Sequence, residues 1–170
     1  MLDSEMFELK PLSKEAIPAA LERAIRYRLL NEPGEAESIC LDVLRTDPDN
    51  QQALVVLLLA FTDQFGQGHT ISLTEAQEIL ARLRSPYESA YYAGIIAERR
   101  AKAQLHIGSP GSGFASYEWL RDAMDWYEKA EAIRPEGNDE ALLRWNACAR
   151  LIMQNNLSSQ SAEEFEPSLE

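Results

Sequence analysis

The chain has 170 residues, of which 45% are apolar, long enough to bury a single core or a short repeat array. Its net charge is −12, and no block of it is basic: residues 1–50 carry 11 acidic and 6 basic side chains, 51–100 carry 5 and 4, 101–150 carry 8 and 6, and 151–170 carry 4 and none. That balance argues against nucleic acid as a partner, and the longest apolar run, the nine residues Ala53–Phe61, is too short to span a membrane.

Residues 1–12 form an N-terminal segment around Pro11 with no clear period, in which Met6, Phe7 and Leu9 are free to dock on something. Its start has neither the basic residues nor the apolar run of a secretory leader, so a cytoplasmic location is expected. A helical domain is predicted over residues 13–154. Its first helix starts near Ser13 or at Pro18 and carries Leu21, Ala24, Ile25, Arg28 and Leu29 at helical spacing, until Asn31-Glu32-Pro33-Gly34 breaks it. The second, about 35–45, puts Ala36, Ile39, Cys40, Val43 and Leu44 on one stripe. Asp49, with Gln52 three residues on, has the chemistry to cap a third helix over about 51–65, apolar on several sides. Gly66-Gln67-Gly68 ends it. Ser72-Leu73-Thr74-Glu75 opens a fourth helix that runs through Leu83, and Ser85-Pro86-Tyr87-Glu88 opens a fifth to Ile107. The glycine-rich loop 108–113 precedes a sixth helix, about 114–134. A seventh starts at Asn138 or Asp139 and ends near Gln154. Residues 155–170 read as an acidic, disordered tail. Cys40 and Cys148 fall inside apolar helical patterns, as buried thiols do.

The helices repeat. Leu44-Arg45-Thr46-Asp47-Pro48 returns as Leu83-Arg84-Ser85-Pro86 and as Ile133-Arg134-Pro135. Ala36, Cys40, Val43 and Pro48 recur 87 residues later as Ala123, Tyr127, Ala130 and Pro135. Ala20, Arg23, Ala24 and Tyr27 share their spacing with Leu54, Leu57, Leu58 and Phe61, and with Ala90, Ala93, Gly94 and Ala97. In these residues the chain resembles the tetratricopeptide repeat (TPR) family over roughly residues 17–150. It departs from that family in having Arg23 where leucine is usual, Leu58 where glycine or alanine is usual, and prolines 38 and then 49 residues apart instead of about 34. The resemblance implies an all-α fold: a right-handed stack of about three helical hairpins plus a C-terminal capping helix, a TPR-like α-solenoid. The alternative is an antiparallel bundle without a superhelical groove.

The resemblance also implies a binding groove lined by the first helix of each hairpin: Leu21, Ile25 and Arg28, then Val55, Leu59 and Thr62, then Tyr91, Ile95, Glu98 and Arg99. Its apolar character suits an amphipathic helix or an extended apolar peptide. Alternatively the groove is covered, for instance by Met6-Phe7-Glu8-Leu9 of the same chain. No catalytic constellation stands out. His69 and His106 have no partner at metal-ligand spacing, so no metal or cofactor is expected. The glycine loop lacks the Gly-Lys-Ser/Thr ending of a phosphate loop. Asp122, Asp125, Glu128 and Glu131 read as a solvated stripe, Arg99, Arg100 and Lys102 as a small basic spot, and Trp119, Trp126 and Trp145 as core or interface anchors. The function expected is non-enzymatic protein–protein interaction, as adaptor, scaffold or small chaperone, with a protein or peptide partner. A homodimer is compatible with it. The contrasting reading is a helical enzyme or small-ligand-binding domain, which would show a closed polar pocket.

Overall fold

The computed structural model of the chain describes residues 6–67 and 71–159, with backbone alone at residues 71 and 72. Seven α-helices run through the described residues and no strand occurs among them, so the fold is all-α. No helix among them is long and apolar enough to cross a membrane. The chain divides into two compact units, residues 1–60 and 61–170.

In the first unit a 3-10 turn (Lys14–Ala16) leads into α1 (Ile17–Leu29), which holds Pro18 in its first turn, where its missing amide has no helical partner to lose. Asn31 then takes a left-handed conformation (φ 60°). Its N–H bonds to the Arg28 carbonyl at 3.0 Å, and the Glu32 N–H reaches back to Tyr27 at 2.9 Å. This closes the helix with a Schellman turn. Pro33 opens α2 (Pro33–Thr46), so the break predicted over 31–34 is narrower than expected. α1 and α2 pack as a hairpin and bury Ile17, Leu21 and Ala24 on one helix and Ala36, Cys40, Val43 and Leu44 on the other. Thr46 Oγ1 donates to the Leu12 carbonyl at 2.7 Å and pins the incoming segment. Ahead of that pin, residues 6–11 have no regular structure, and Met6 (94% exposed), Phe7 (86%) and Leu9 (63%) stand in solvent instead of covering a groove.

The third helix, α3 (Gln51–Asp63), crosses the boundary between the units. Its cap is Asn50, not Asp49: the Asn50 Oδ1 accepts from the Ala53 N–H at 2.9 Å. Ala53, Leu54, Val56, Leu57, Leu58, Ala60 and Phe61 are all buried, so α3 is enclosed on several sides, as its nearly unbroken apolar run requires.

In the second unit, α4 (Ile71–Leu80) starts ahead of Ser72, which therefore lies inside the first turn and does not precede it. α5 (Pro86–Ile107) has the predicted bounds: Ser85 Oγ accepts from the Glu88 N–H at 3.2 Å, Pro86 sits in the first turn, and left-handed Gly108 ends the helix. α6 (Ser112–Ala132) packs along α5, and α7 (Glu140–Gln154) packs on α6. α7 ends as α1 does. Asn156 is left-handed (φ 50°), and the Leu157 N–H bonds to the Ile152 carbonyl at 3.0 Å. Leu157 lies beside Gly113 at the start of α6, so the segment predicted as a disordered tail begins with an ordered turn. Residues 160–170 of that tail, and His69, lie outside the described residues.

Candidate functional site

Helical spacing lines up Tyr91, Gly94, Glu98 and Ala101 on one face of α5. Glu98 belongs to the set the resemblance assigned to the groove, yet it is 1% exposed. Its Oε1 accepts from Tyr127 Oη (3.1 Å), Arg144 Nε (3.0 Å) and Cys148 Sγ (3.5 Å). Its Oε2 accepts from Lys102 Nζ (2.8 Å) and from Arg144 Nη2. Lys102 is one turn along α5, Tyr127 comes from α6, and Arg144 and Cys148 come from successive turns of α7. One carboxylate thus ties three helices together.

Burial alone would push the Glu98 carboxyl up. The hydrogen bonds and charges of Arg144 and Lys102 outweigh it and hold the group below its ordinary value. Burial, reinforced by the Glu98 charge, raises Tyr127 far above the usual phenol range and pushes the Cys148 thiol up to about 12. The ionised carboxylate, neutral phenol and neutral thiol therefore coexist at neutral pH. Five donors occupy the two oxygens of Glu98. A general base needs a lone pair directed at substrate and a pKa near the working pH, and this carboxylate offers neither.

Tyr127 is fully buried because Gly94 makes room for it: a Cβ built on Gly94 would lie 2.5 Å from Tyr127 Cε1. Tyr91 packs against the same ring (centroids 5.9 Å apart) and stacks on Tyr87 (5.9 Å), with Tyr92 edge-on at 5.0 Å. Ser116 Oγ, also buried, donates to the Ala101 carbonyl at 3.0 Å and adds a second polar tie between α6 and α5.

On α4, α5 and α6, a partly open notch of about 120 Å³ is lined by Gln77, Leu80, Ala93, Ile96, Ala97, Trp119, Asp122 and Trp126. The two tryptophans sit seven residues apart, two turns along one face of α6, with Asp122 between them. Lys129 Nζ lies 4.2 Å from the Trp126 ring centroid. Partial burial, then the neighbouring Asp125, raises the Asp122 carboxyl above its ordinary value.

The predicted groove residues fall in both units. In the first, Leu21 is buried and Ile25, Arg28, Val55 and Leu59 are half-buried. In the second, Thr62 and Ile95 are buried, Tyr91 belongs to the tyrosine cluster, and Arg99 pairs with Asp63 at 3.5 Å. Arg99 and Lys102, two of the basic spot's three cations, thus face carboxylates of their own unit. Asp122, Asp125 and Glu128 are exposed on α6. Glu128 accepts from Trp145 Nε1 at 3.1 Å, and Glu131 pairs with Arg134 at 3.0 Å. Among the described residues no group of three or more His, Cys, Asp or Glu side chains is arranged to hold a metal ion. The i,i+4 spacing of Glu98 and Lys102 was visible in the sequence, but nothing there marked Arg144 as the principal partner 46 residues away.

No family model, curated protein or solved structure matches the chain.

Proposed function

We propose that the chain is a non-enzymatic protein–protein interaction module, an adaptor, scaffold or small chaperone, built as a right-handed stack of TPR-like hairpins closed by α7. The Trp119–Trp126 notch carries this reading. It is an open, mainly apolar recess flanked by two half-buried tryptophans, the residue type that most often anchors a partner's side chain. The recurrence of 87 residues supports the hairpin stack: Ala36, Cys40, Val43, Ala123, Tyr127 and Ala130 are all fully buried. The saturated Glu98 carboxylate supports a structural role for the chain's main buried polar cluster, against the enzyme reading. The half-buried groove residues Val55 and Leu59 of the first unit contribute a second contact face.

The test is capture of partner proteins by the tagged chain and by a Trp126→Asp variant whose helicity is checked by circular dichroism. Loss of capture with the fold intact is expected. Undiminished capture by both Trp126→Asp and Leu59→Asp would remove the proposal. Ile95 is buried, so an aspartate there reports on folding and not on binding.

A further inference from the structure

We infer that the Trp119–Trp126 notch takes up one arginine side chain of a partner protein, with the guanidinium against the indoles and paired to Asp122. This rests on the reading of the notch as a docking site, and it names the chemistry of what docks there. One unit builds the whole site, since α4, α5 and α6 all lie within residues 61–170. An apolar cavity of about 150 Å³ takes up one benzene. The notch, at about 120 Å³ and open on one side, therefore has room for a single side chain. Leu80, Ala93, Ile96 and Ala97 supply its apolar lining, and Trp119 and Trp126 its aromatic lining.

What selects a cation lies inside the notch. Asp122 belongs to the lining, and the α4 and α5 residues that share it carry no charge. Among the described residues Asp122 accepts no hydrogen bond and forms no ion pair. Lys129 acts on it only through space: its Nζ lies over the Trp126 ring, 4.2 Å from the centroid. That ring is thus already a surface on which a cation settles. An apolar occupant would strip water from the Asp122 carboxylate and return nothing, whereas a cation replaces the lost hydration with a charge-assisted pair. Partial burial and Asp125 already raise the Asp122 carboxyl, and a facing cation reverses that direction. The surrounding surface agrees in sign: over residues 118–129, α6 exposes Glu118, Asp122, Asp125 and Glu128 against Arg121 and Lys129. Arginine suits this lining better than lysine. Its stem covers apolar surface, its planar head stacks on an indole, and its fork of N–H donors meets both oxygens of a carboxylate.

The test is titration of the full chain with a blocked pentapeptide, one arginine among glycines, followed by NMR of the indole N–H signals. Trp145, which lies outside the notch and donates to Glu128, is the internal control. The expected result is a saturable shift of the Trp119 and Trp126 signals while Trp145 stays in place. The same peptide with citrulline keeps the shape and loses the charge, and should bind about tenfold or more weakly. Asp122→Asn should weaken the arginine peptide by a similar factor, and because Asp122 is exposed on α6 the variant leaves the core intact. Lys129→Ala, which frees the Trp126 ring of its own cation, should tighten binding. The inference is overturned by the absence of a saturable shift at millimolar peptide, by equal binding of citrulline, norleucine or lysine peptides, or by indifference to Asp122→Asn. A chain that fails in any of these ways and still loses partner capture with Trp126→Asp keeps the docking function, so the two failures are distinguishable.

Discussion

The two units solve the same packing problem with different chemistry. In the first, the buried side chains among the described residues are all apolar: Leu21, Ala24, Ala36, Cys40, Val43, Leu54, Leu57 and their neighbours. In the second, Thr62, Glu98, Ser112 and Ser116 are buried as well. Cys40 of α2 is buried in the first unit, and Tyr127 of α6, 87 residues further along the sequence, is buried in the second. A thiol needs no hydrogen-bond partner when buried. A phenol does, and its oxygen reaches Glu98, which in turn requires Arg144 and Lys102. One large polar residue at a core position thus brings a whole charged network into the interior. An apolar core tolerates loss of a partner according to volume, whereas a charged one responds according to charge and pH.

The sharpest way to separate the two is Arg144→Met. It leaves a buried carboxylate with a single cation, and should cost about 3–5 kcal/mol in urea unfolding at pH 7. The Glu98 carboxyl is depressed in the fold, so its contribution is complete above its unfolded value of 4.5 and is lost as pH falls below it. The difference between wild type and Arg144→Met should therefore narrow in acid. In the first unit, Leu57→Ala should cost about 2–5 kcal/mol through the cavity it leaves, with no such pH dependence. A penalty for Arg144→Met as flat with pH as that of Leu57→Ala would end the distinction.

Gly94→Ala should cost about 1–3 kcal/mol, because the Tyr127 ring in its way is held by Glu98 and cannot swing aside; thermal melting reads it. Tyr127→Phe should cost about 1 kcal/mol at neutral pH. The phenol is raised in the fold, so its stabilising contribution is present below its unfolded value of 10 and fades as pH rises above it. Tyr127→Phe should accordingly lessen the alkaline loss of stability. The smallest effects should be equal in kind at the two caps: Asn50→Ala and Ser85→Ala remove one side chain to amide bond each and should cost about 1 kcal/mol apiece.

Much of the fold was legible along the chain. α5 has the predicted bounds, because Ser85-Pro86-Tyr87-Glu88 and Gly108 are local signals that act on their own helix. The other helices lie within a few residues of their predicted ends. The misplaced ends have local causes too: Asn31 stops α1 two residues before Pro33, and Asn50, not Asp49, caps α3. Trp119 and Trp126 were read as core or interface anchors, but the α4 and α5 residues that complete the notch were not legible. Glu98 was misread because the resemblance to the TPR family assigned it to a groove, whereas it is buried. Periodicity says which residues share a face, but not what that face will meet.

Composition, helical period and caps are properties of short stretches, and they determined by themselves that this chain is all-α, where its helices run and which of their faces are apolar. Only the tertiary structure decided that a carboxylate would be buried, that Arg144 would neutralise it from 46 residues away, and that Met6, Phe7 and Leu9 would be left in water. These outcomes depend on which helices come together, and a charge, a phenol or an exposed ring acquires its energetic meaning only from the groups that surround it.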